Sequence, residues 1–305
     1  MVEQAFWSAL LLQTPGEMQF ALIAHHETGT NLRLVEAAPA GLETTLMSPA
    51  DTLGRLGPGD AALARLDLLP TLDGIEPGTW ELARLEAEGV RMLNRLGTLL
   101  VMHDKLLTAR LLSTAGLPHP KTRHLTHPRI PSALEPPLVL KPRFGSWGAD
   151  VHQCRNRASA MKRLEVLSAR GWFRKHGILA QEFVPPLGRD LRIVVAAGQI
   201  VGAVERIAAP GEWRTNVALG GVRRPVSPPL AARELALAAA AAAEADLVGV
   251  DMLPTREGGW VVIELNGAVE FTDDYSLDRD VFTATAEALV AAASEPRREP
   301  LAALG

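Results

Sequence analysis

The sequence has little cysteine, no excess of basic charge and no long hydrophobic run, and each shortage excludes something. A single cysteine, Cys154, among 305 residues leaves no internal disulfide framework and no cysteine-based zinc site. Lys+Arg 31 against Asp+Glu 35 gives a net charge of −4, which argues against nucleic acid as the main ligand. No apolar run approaches the roughly 18–20 residues of a membrane-spanning helix. There is no GxxxxGK[ST] phosphate loop, no GxSxG nucleophile elbow and no internal repeat. Residues 1–17 carry a short apolar stretch without the basic start of a secretory signal. They are expected to be a loosely packed leader, and the protein to be cytoplasmic.

What is present is the balance of a soluble globular enzyme, with 47% hydrophobic and 22% charged residues. The length suits two or three structural units. Strand-like runs at 19–24, 44–47, 61–66 and 90–93 alternate with helical patterns, notably 78–88. That alternation predicts a parallel α/β sheet over 18–97. Apolar positions from Leu99 to Leu112 predict one helix over 97–115, stopped by Gly116-Leu-Pro118. A proline-rich loop at 128–137 precedes a strand at 138–142 and a glycine loop at 144–150. Strands are expected at 178–183, 191–196, 200–206, 247–253 and 260–265. The alanine-rich 228–245 reads as packed helix, 279–293 as a last helix, and 294–305 as a frayed tail.

The sharpest chemical signal lies near the C-terminus. Glu264 and Asn266, two apart on one strand, share a face, and Asp251 joins them if the turn at 255–259 pairs the two strands. Two carboxylates and an amide oxygen make a hard-oxygen site suited to Mg²⁺ bridging phosphates. The alternative is a solvated sheet face. A second signal is Lys141 at a strand end, followed by the loop with Gly145, Ser146, Trp147 and Gly148. A lysine beside such a loop pairs with phosphates while backbone N–H groups approach them. Further along stand Gln181-Glu182-Phe183-Val184, Asp190 with Arg192, and Arg214 with Asn216. Five histidines, His25, His26, His103, His124 and His127, show no metal-like spacing and are expected in loops or on the surface.

Taken in order, Asp104-Lys105, Val139-Leu-Lys141-Pro142, Gly145-Ser-Trp-Gly148, Gln181-Glu-Phe-Val184, Gly188-Arg-Asp190-Leu-Arg192, Arg214-Thr-Asn216, Gly249-Val-Asp251 and Glu264-Leu-Asn266-Gly267 resemble the ATP-grasp fold. They are most similar to its RimK/LysX branch of ATP-dependent carboxylate–amine ligases. The resemblance covers about residues 75–290. It implies an ATP-grasp fold, α/β with an α+β C-terminal part, behind a small parallel-sheet domain. The units would be an N-terminal domain 18–97, a central lobe 98–183 with a phosphate-covering loop, and a C-terminal lobe 184–293 with the metal site.

The resemblance also implies roles. Lys105 and Lys141 would bind phosphate, with the loop of Gly145, Ser146, Trp147 and Gly148 closing over it. The segment Gln181, Glu182, Phe183 and Val184 would hold adenine, and Asp190 the ribose. Arg214 and Asn216 would hold the transferred phosphoryl group, and Asp251, Glu264 and Asn266 the Mg²⁺ or Mn²⁺. ATP would activate a carboxylate as an acyl phosphate, and an amine would displace phosphate. Glutamate or a related amino acid and an acidic acceptor are the implied partners, the acceptor being a small carrier protein, a cofactor or a ribosomal protein tail. A homo-oligomer is implied, without nucleic acid or membrane. The other class open to the fold is a non-catalytic ATP-binding regulator.

Arg192 and Arg206 are candidates to read a substrate carboxylate, or else pair with Asp190 or Glu205. From Arg189 to Arg224 there are six arginines against Asp190, Glu205 and Glu212, a local charge of +3. With Arg214 on phosphate, several guanidiniums are left over for an acidic acceptor.

Overall fold

Phe20–Ile23 and Ala61–Ala64 are buried at every position, which suits strands covered on both faces. In the computed structural model they form the middle of a four-stranded parallel sheet, in the order Thr44–Met47, Phe20–Ile23, Ala61–Ala64, Arg91–Leu93. The structure describes residues 18–66, 78–145 and 148–295, together with the short strands Pro70–Thr71 and Gly74–Ile75. The expected leader 1–17, most of the tail, Ser146 and Trp147 lie outside the described residues. Helices Gly29–Glu36 and Thr79–Ala87 accompany this sheet.

The helix predicted over 97–115 is two helices, Leu96–His103 and Lys105–Thr114. Asp104 breaks it. Its backbone is extended, and its side chain accepts hydrogen bonds from Leu106 N at 2.9 Å and Leu107 N at 3.4 Å, capping the second helix. The apolar pattern runs through the break, so periodicity alone reads it as one element. The break puts Lys105 on the first turn of the second helix. Both helices pack on the C-terminal sheet through Leu99, Met102 and Leu112.

The lobe carrying the glycine loop is a four-stranded antiparallel sheet ordered Thr122–Leu125, Ile178–Glu182, Leu138–Pro142, His152–Cys154. Helices Arg157–Ser168 and Gly171–His176, not anticipated from the sequence, cover its apolar face. Asn156 and Ser159 close a reciprocal capping box on the first of them. Cys154 is buried in this small core, as expected of a small apolar residue.

A five-stranded antiparallel sheet carries the rest: Val222–Pro225, Gln199–Ile207, Arg189–Ala196, Leu247–Pro254 and Trp260–Asn266. The alanine-rich helix Leu230–Ala242 buries Ala232, Leu235, Ala236 and Ala239 against one face. Helix Val281–Ser294 buries Phe282 and Leu289 in a second core with residues of the N-terminal sheet. Register decides which residues share the charged face. Asp190 lies opposite Arg206, Arg206 opposite Arg223, Arg192 opposite Asp251, and Asp251 opposite Glu264. Directly paired residues project to the same side, so all six stand on one face.

Candidate active site

The antiparallel sheet with the glycine loop and the five-stranded sheet face each other across a cleft of about 1040 Å³. Apolar side chains of Val139, Phe183, Leu253 and Ile263 line one part, and charged groups converge on the other. Trp213, edge-on to Phe183 at 6.0 Å between ring centres, adds an aromatic wall that motif spacing does not reveal.

Two lysines enter from different elements. Lys105 Nζ lies 3.0 Å from Glu264 Oε1 and also donates to the Gly145 carbonyl, so it ties the glycine loop to the acidic strand. Lys141 is buried and donates to Gln181 Oε1 at 2.9 Å. Gln181 is fixed in turn by Thr122 Oγ1, at 2.8 Å from its Nε2. Burial pulls the Lys141 ammonium down to about 8, with Lys105 acting in the same direction and Glu264 against it. Asp104 accepts a forked hydrogen bond from Arg143, which anchors the start of the loop.

Arg214 and Asn216 meet the other end of the loop. Arg214 Nη1 donates to the Gly148 carbonyl at 3.1 Å, and its Nε and Nη2 grip Glu212. The hydrogen bonds from Arg214 hold the Glu212 carboxyl down to about 2. Gly148 has φ +73°, and a Cβ there would stand 3.1 Å from Asn216 Oδ1. A side chain there is strained by the backbone and crowds Asn216.

The acidic face carries its own counter-charges. Arg192 Nε and Nη2 hold Asp251 at 2.6 and 2.7 Å. Arg206 Nε reaches Asp190 at 2.7 Å, and its Nη2 is shared between Asp190 and Asp251, the latter at 2.9 Å. Burial raises the Asp251 carboxyl, and the two guanidiniums outweigh it, so the group stays ionised well below the usual carboxylate range. Burial opposes the Arg206 charge, and Asp251 and Asp190 more than restore it.

These contacts revise several expectations. Arg192 and Arg206 brace Asp251, Arg206 also pairs with Asp190, and Arg192 pairs with neither Asp190 nor Glu205, while both still border a second cavity. Asp190 is not an open ribose acceptor. It is buried, and three of its roughly four acceptor positions are taken by Arg206 and by Thr215 Oγ1. The N–H groups of Glu182 and Phe183 are spent on the carbonyls of Lys121 and Pro137. Nor are several guanidiniums left over. Arg189 and Arg224 both pair with Glu205, and Arg214 with Glu212.

A second cavity, of about 1490 Å³, adjoins the cleft between the N-terminal sheet and the acidic face. Arg206, Asn216, Asp251 and Glu264 border both. Its other wall comes from the N-terminal parallel sheet and the helix after its first strand, through His25, His26, Asn31 and Arg65. Arg65 donates to Asn31 Oδ1 at 2.7 Å and to Glu270 Oε1 at 3.0 Å. His25 and His26 have no motif spacing; packing of the N-terminal parallel sheet against the five-stranded sheet places them on this wall.

A model of the RimK-like ATP-grasp domain matches residues 102–291. The chain belongs to the RimK-like ATP-grasp family. It is an ATP-dependent carboxylate–amine ligase of that family. It is 32% identical over 193 residues to a glutamate–LysW ligase ArgX of Sulfurisphaera tokodaii, covering 62% of this chain and 68% of that protein. It is 34% identical over 194 residues to a coenzyme gamma-F420-2:alpha-L-glutamate ligase of Methanocaldococcus jannaschii, covering 60% and 64%. The fold matches the ATP-grasp ligase PsnB bound to a minimal precursor, with TM-score 0.66 and 19% identity over 90% of this chain and 99% of that one. It also matches D-alanine–D-alanine ligase of Bacillus anthracis, with TM-score 0.66 and 15% identity over 90% and 98%. Among the described residues no helix is long and apolar enough to cross a membrane.

Proposed function

We propose that the protein uses ATP in the cleft to activate an acidic acceptor's carboxylate, then joins it to the amino group of an amino acid, with glutamate the first candidate. Lys105 carries this reading: one ammonium touches both the glycine loop and Glu264, which is where a triphosphate would gather charge. The named activities of the two relatives, both glutamate ligases, favour the substrate class.

Adenine fits the apolar part of the cleft, between Val139, Leu253 and Ile263. With two N–H groups of the 182–183 segment already paired, base recognition falls to its carbonyls and to Val184. Asp190 acts through Arg206, not on the ribose. Lys105, Lys141 and Arg214 neutralise the phosphates, with Gly145 and Gly148 beside them.

The donor set fits Mg²⁺ or Mn²⁺. Glu264 and Asn266 are oxygen donors on one strand, and Asp251, opposite Glu264, keeps about one acceptor position beyond the three its arginines occupy. When bound, the ion would neutralise charge between phosphate oxygens. The carboxylate oxygen attacks the γ-phosphorus as the bond to ADP breaks, giving an acyl phosphate. The amine attacks the acyl carbon, phosphate departs with the C–O electron pair, and the amine proton passes to solvent. Arg214 holds the phosphoryl group through both steps, with Asn216 beside it.

ADP release measured with Mg²⁺ across amino acids, with and without glutamate-ended acidic peptides or glutamyl cofactors, tests this. Release is expected only when both an amino acid and a carboxylate acceptor are present. Tight binding of ATP with no release on any pair would favour a regulator and overturn the ligase reading for this chain's cleft.

A further inference from the structure

Five of the six arginines between Arg189 and Arg224 have a carboxylate partner. Arg223 has none among the described residues, and its Nε is buried without a hydrogen-bond partner. It stands opposite Arg206 in the strand register, on the face that carries Asp251 and Glu264. Its guanidinium carbon lies 5.8 Å from the centre of the Tyr275 ring.

Tyr275 is the only tyrosine in the chain. It is 0% exposed, and its hydroxyl has no hydrogen-bond partner among the described residues. The backbone holds it there. Ser276 bridges to Gly202, where a Cβ would come within 2.8 Å of the Tyr275 carbonyl. Arg223, Tyr275 and His25 all line the second cavity, and His25 Nε2 is likewise buried and unpartnered.

Buried donors without partners are rare in folded proteins, because each has given up water for nothing. A guanidinium and a phenol beside one cavity call for an anionic acceptor of two oxygens. The same cavity is bordered by Glu264 and Glu270. That arrangement suits a zwitterion, with its carboxylate at Arg223 and its ammonium toward the acids.

We propose that the cavity between the N-terminal sheet and the acidic face binds the amino-acid substrate, whose α-carboxylate is held by the Arg223 guanidinium and the Tyr275 hydroxyl. The proposal rests on the ligase reading for the word substrate, but its binding test needs no nucleotide. The amine then lies toward the wall that the cavity shares with the nucleotide cleft, where the acyl phosphate would form. Arg223 and Tyr275 are specificity-determining residues, set apart from the phosphate-binding lysines.

Calorimetric titration of the full chain with the proteinogenic L-amino acids and their α-carboxamides tests it. At least one amino acid is expected to bind, and its α-carboxamide about tenfold more weakly or worse. Arg223→Gln should erase that preference, and Tyr275→Phe should reduce it several-fold, while affinity for a non-hydrolysable ATP analogue stays within about twofold. The proposal is overturned if no amino acid binds, if the amide binds as well as the acid, if either variant keeps the full preference, or if both variants lose the ATP analogue too. Failure of the wild type to bind the ATP analogue would sink the ligase reading instead, and leaves the amino-acid titration to be judged by itself.

Discussion

Lys141 Nζ rests 2.9 Å from the amide oxygen of Gln181, a neutral partner, and makes no ion pair among the described residues. A buried ammonium held by a neutral acceptor gives up its proton early, and burial lowers it from 10.5 to about 8. The cation is the form that binds phosphate. Affinity for a non-hydrolysable ATP analogue should therefore fall as pH rises through about 8, and binding above that pH should take up a proton. The stability effect has the opposite sign. Between about 8 and 10.5 the unfolded chain holds the proton that the folded chain has lost, so raising pH there relieves the cost of the buried charge. Calorimetry in two buffers of different ionisation heat measures the uptake, and Lys141→Met should abolish it. An affinity flat from pH 7 to 9.5 would remove Lys141 from the phosphate site.

Glu264→Gln keeps the shape of the side chain and deletes its charge. The Lys105–Glu264 pair is partly exposed, with side-chain exposures of 14% and 30%, so its loss should cost about 1 kcal/mol of stability or less. ADP release should nevertheless fall at least about a hundredfold, because the proposed hard-cation ligand and the anchor of Lys105 go together. A folded variant that turns over near the wild-type rate would place the metal elsewhere.

The pairing of 247–254 with 260–266 is legible in the sequence because a short turn joins two strands whose side chains alternate. The register at the acids is not: straight pairing from Pro254 opposite Trp260 would set Asp251 against Ile263, and a shift between Asp251 and Met252 puts it opposite Glu264 instead. The partners of Asp190 and Arg192 are less legible. Both depend on which strand lies alongside, and that of Asp190 also on a register shift at Val194/Val195, which no local pattern encodes. A cue at Asp104 was available: an Asp beside Lys105 inside an apolar helical run is a cap as much as a motif. The second cavity is not legible in the sequence, since His25 and Tyr275 are 250 positions apart and come to line one cavity only through packing of the parallel sheet against the five-stranded one.

Asp190→Asn tests the brace behind the acidic face. Arg206 is nearly buried, at 7% side-chain exposure, and Asp190 at 3%, so a neutral amide leaves a buried cation short of its counter-charge. Breaking one side of such a pair costs about 3–5 kcal/mol, softened here because Asp251 still holds Arg206. Arg189→Ala removes a half-exposed partner of Glu205 and should cost about 1 kcal/mol or less. Urea unfolding of both variants gives the contrast. Equal losses would mean that burial of the Arg206 network contributes nothing special.

Gly148→Ala separates loop geometry from fold stability. Gly148 and Gly145 both have positive φ, +73° and +112°, so alanine at either meets backbone strain of about 1–2 kcal/mol. The surroundings differ. A Cβ at 145 meets nothing within 4 Å among the described residues, whereas one at 148 stands 3.1 Å from Asn216 Oδ1, and the carbonyl of 148 accepts from Arg214. If the loop holds Arg214 and Asn216 over the transferred phosphoryl group, Gly148→Ala should lower kcat further than Gly145→Ala, by about tenfold, with similar melting temperatures for the two variants. The KM for ATP should move less than kcat, because the adenine end of the cleft is untouched. Steady-state ADP release on the two variants decides it. Equal losses in kcat would mean that the contact between the loop and Asn216 plays no part in turnover.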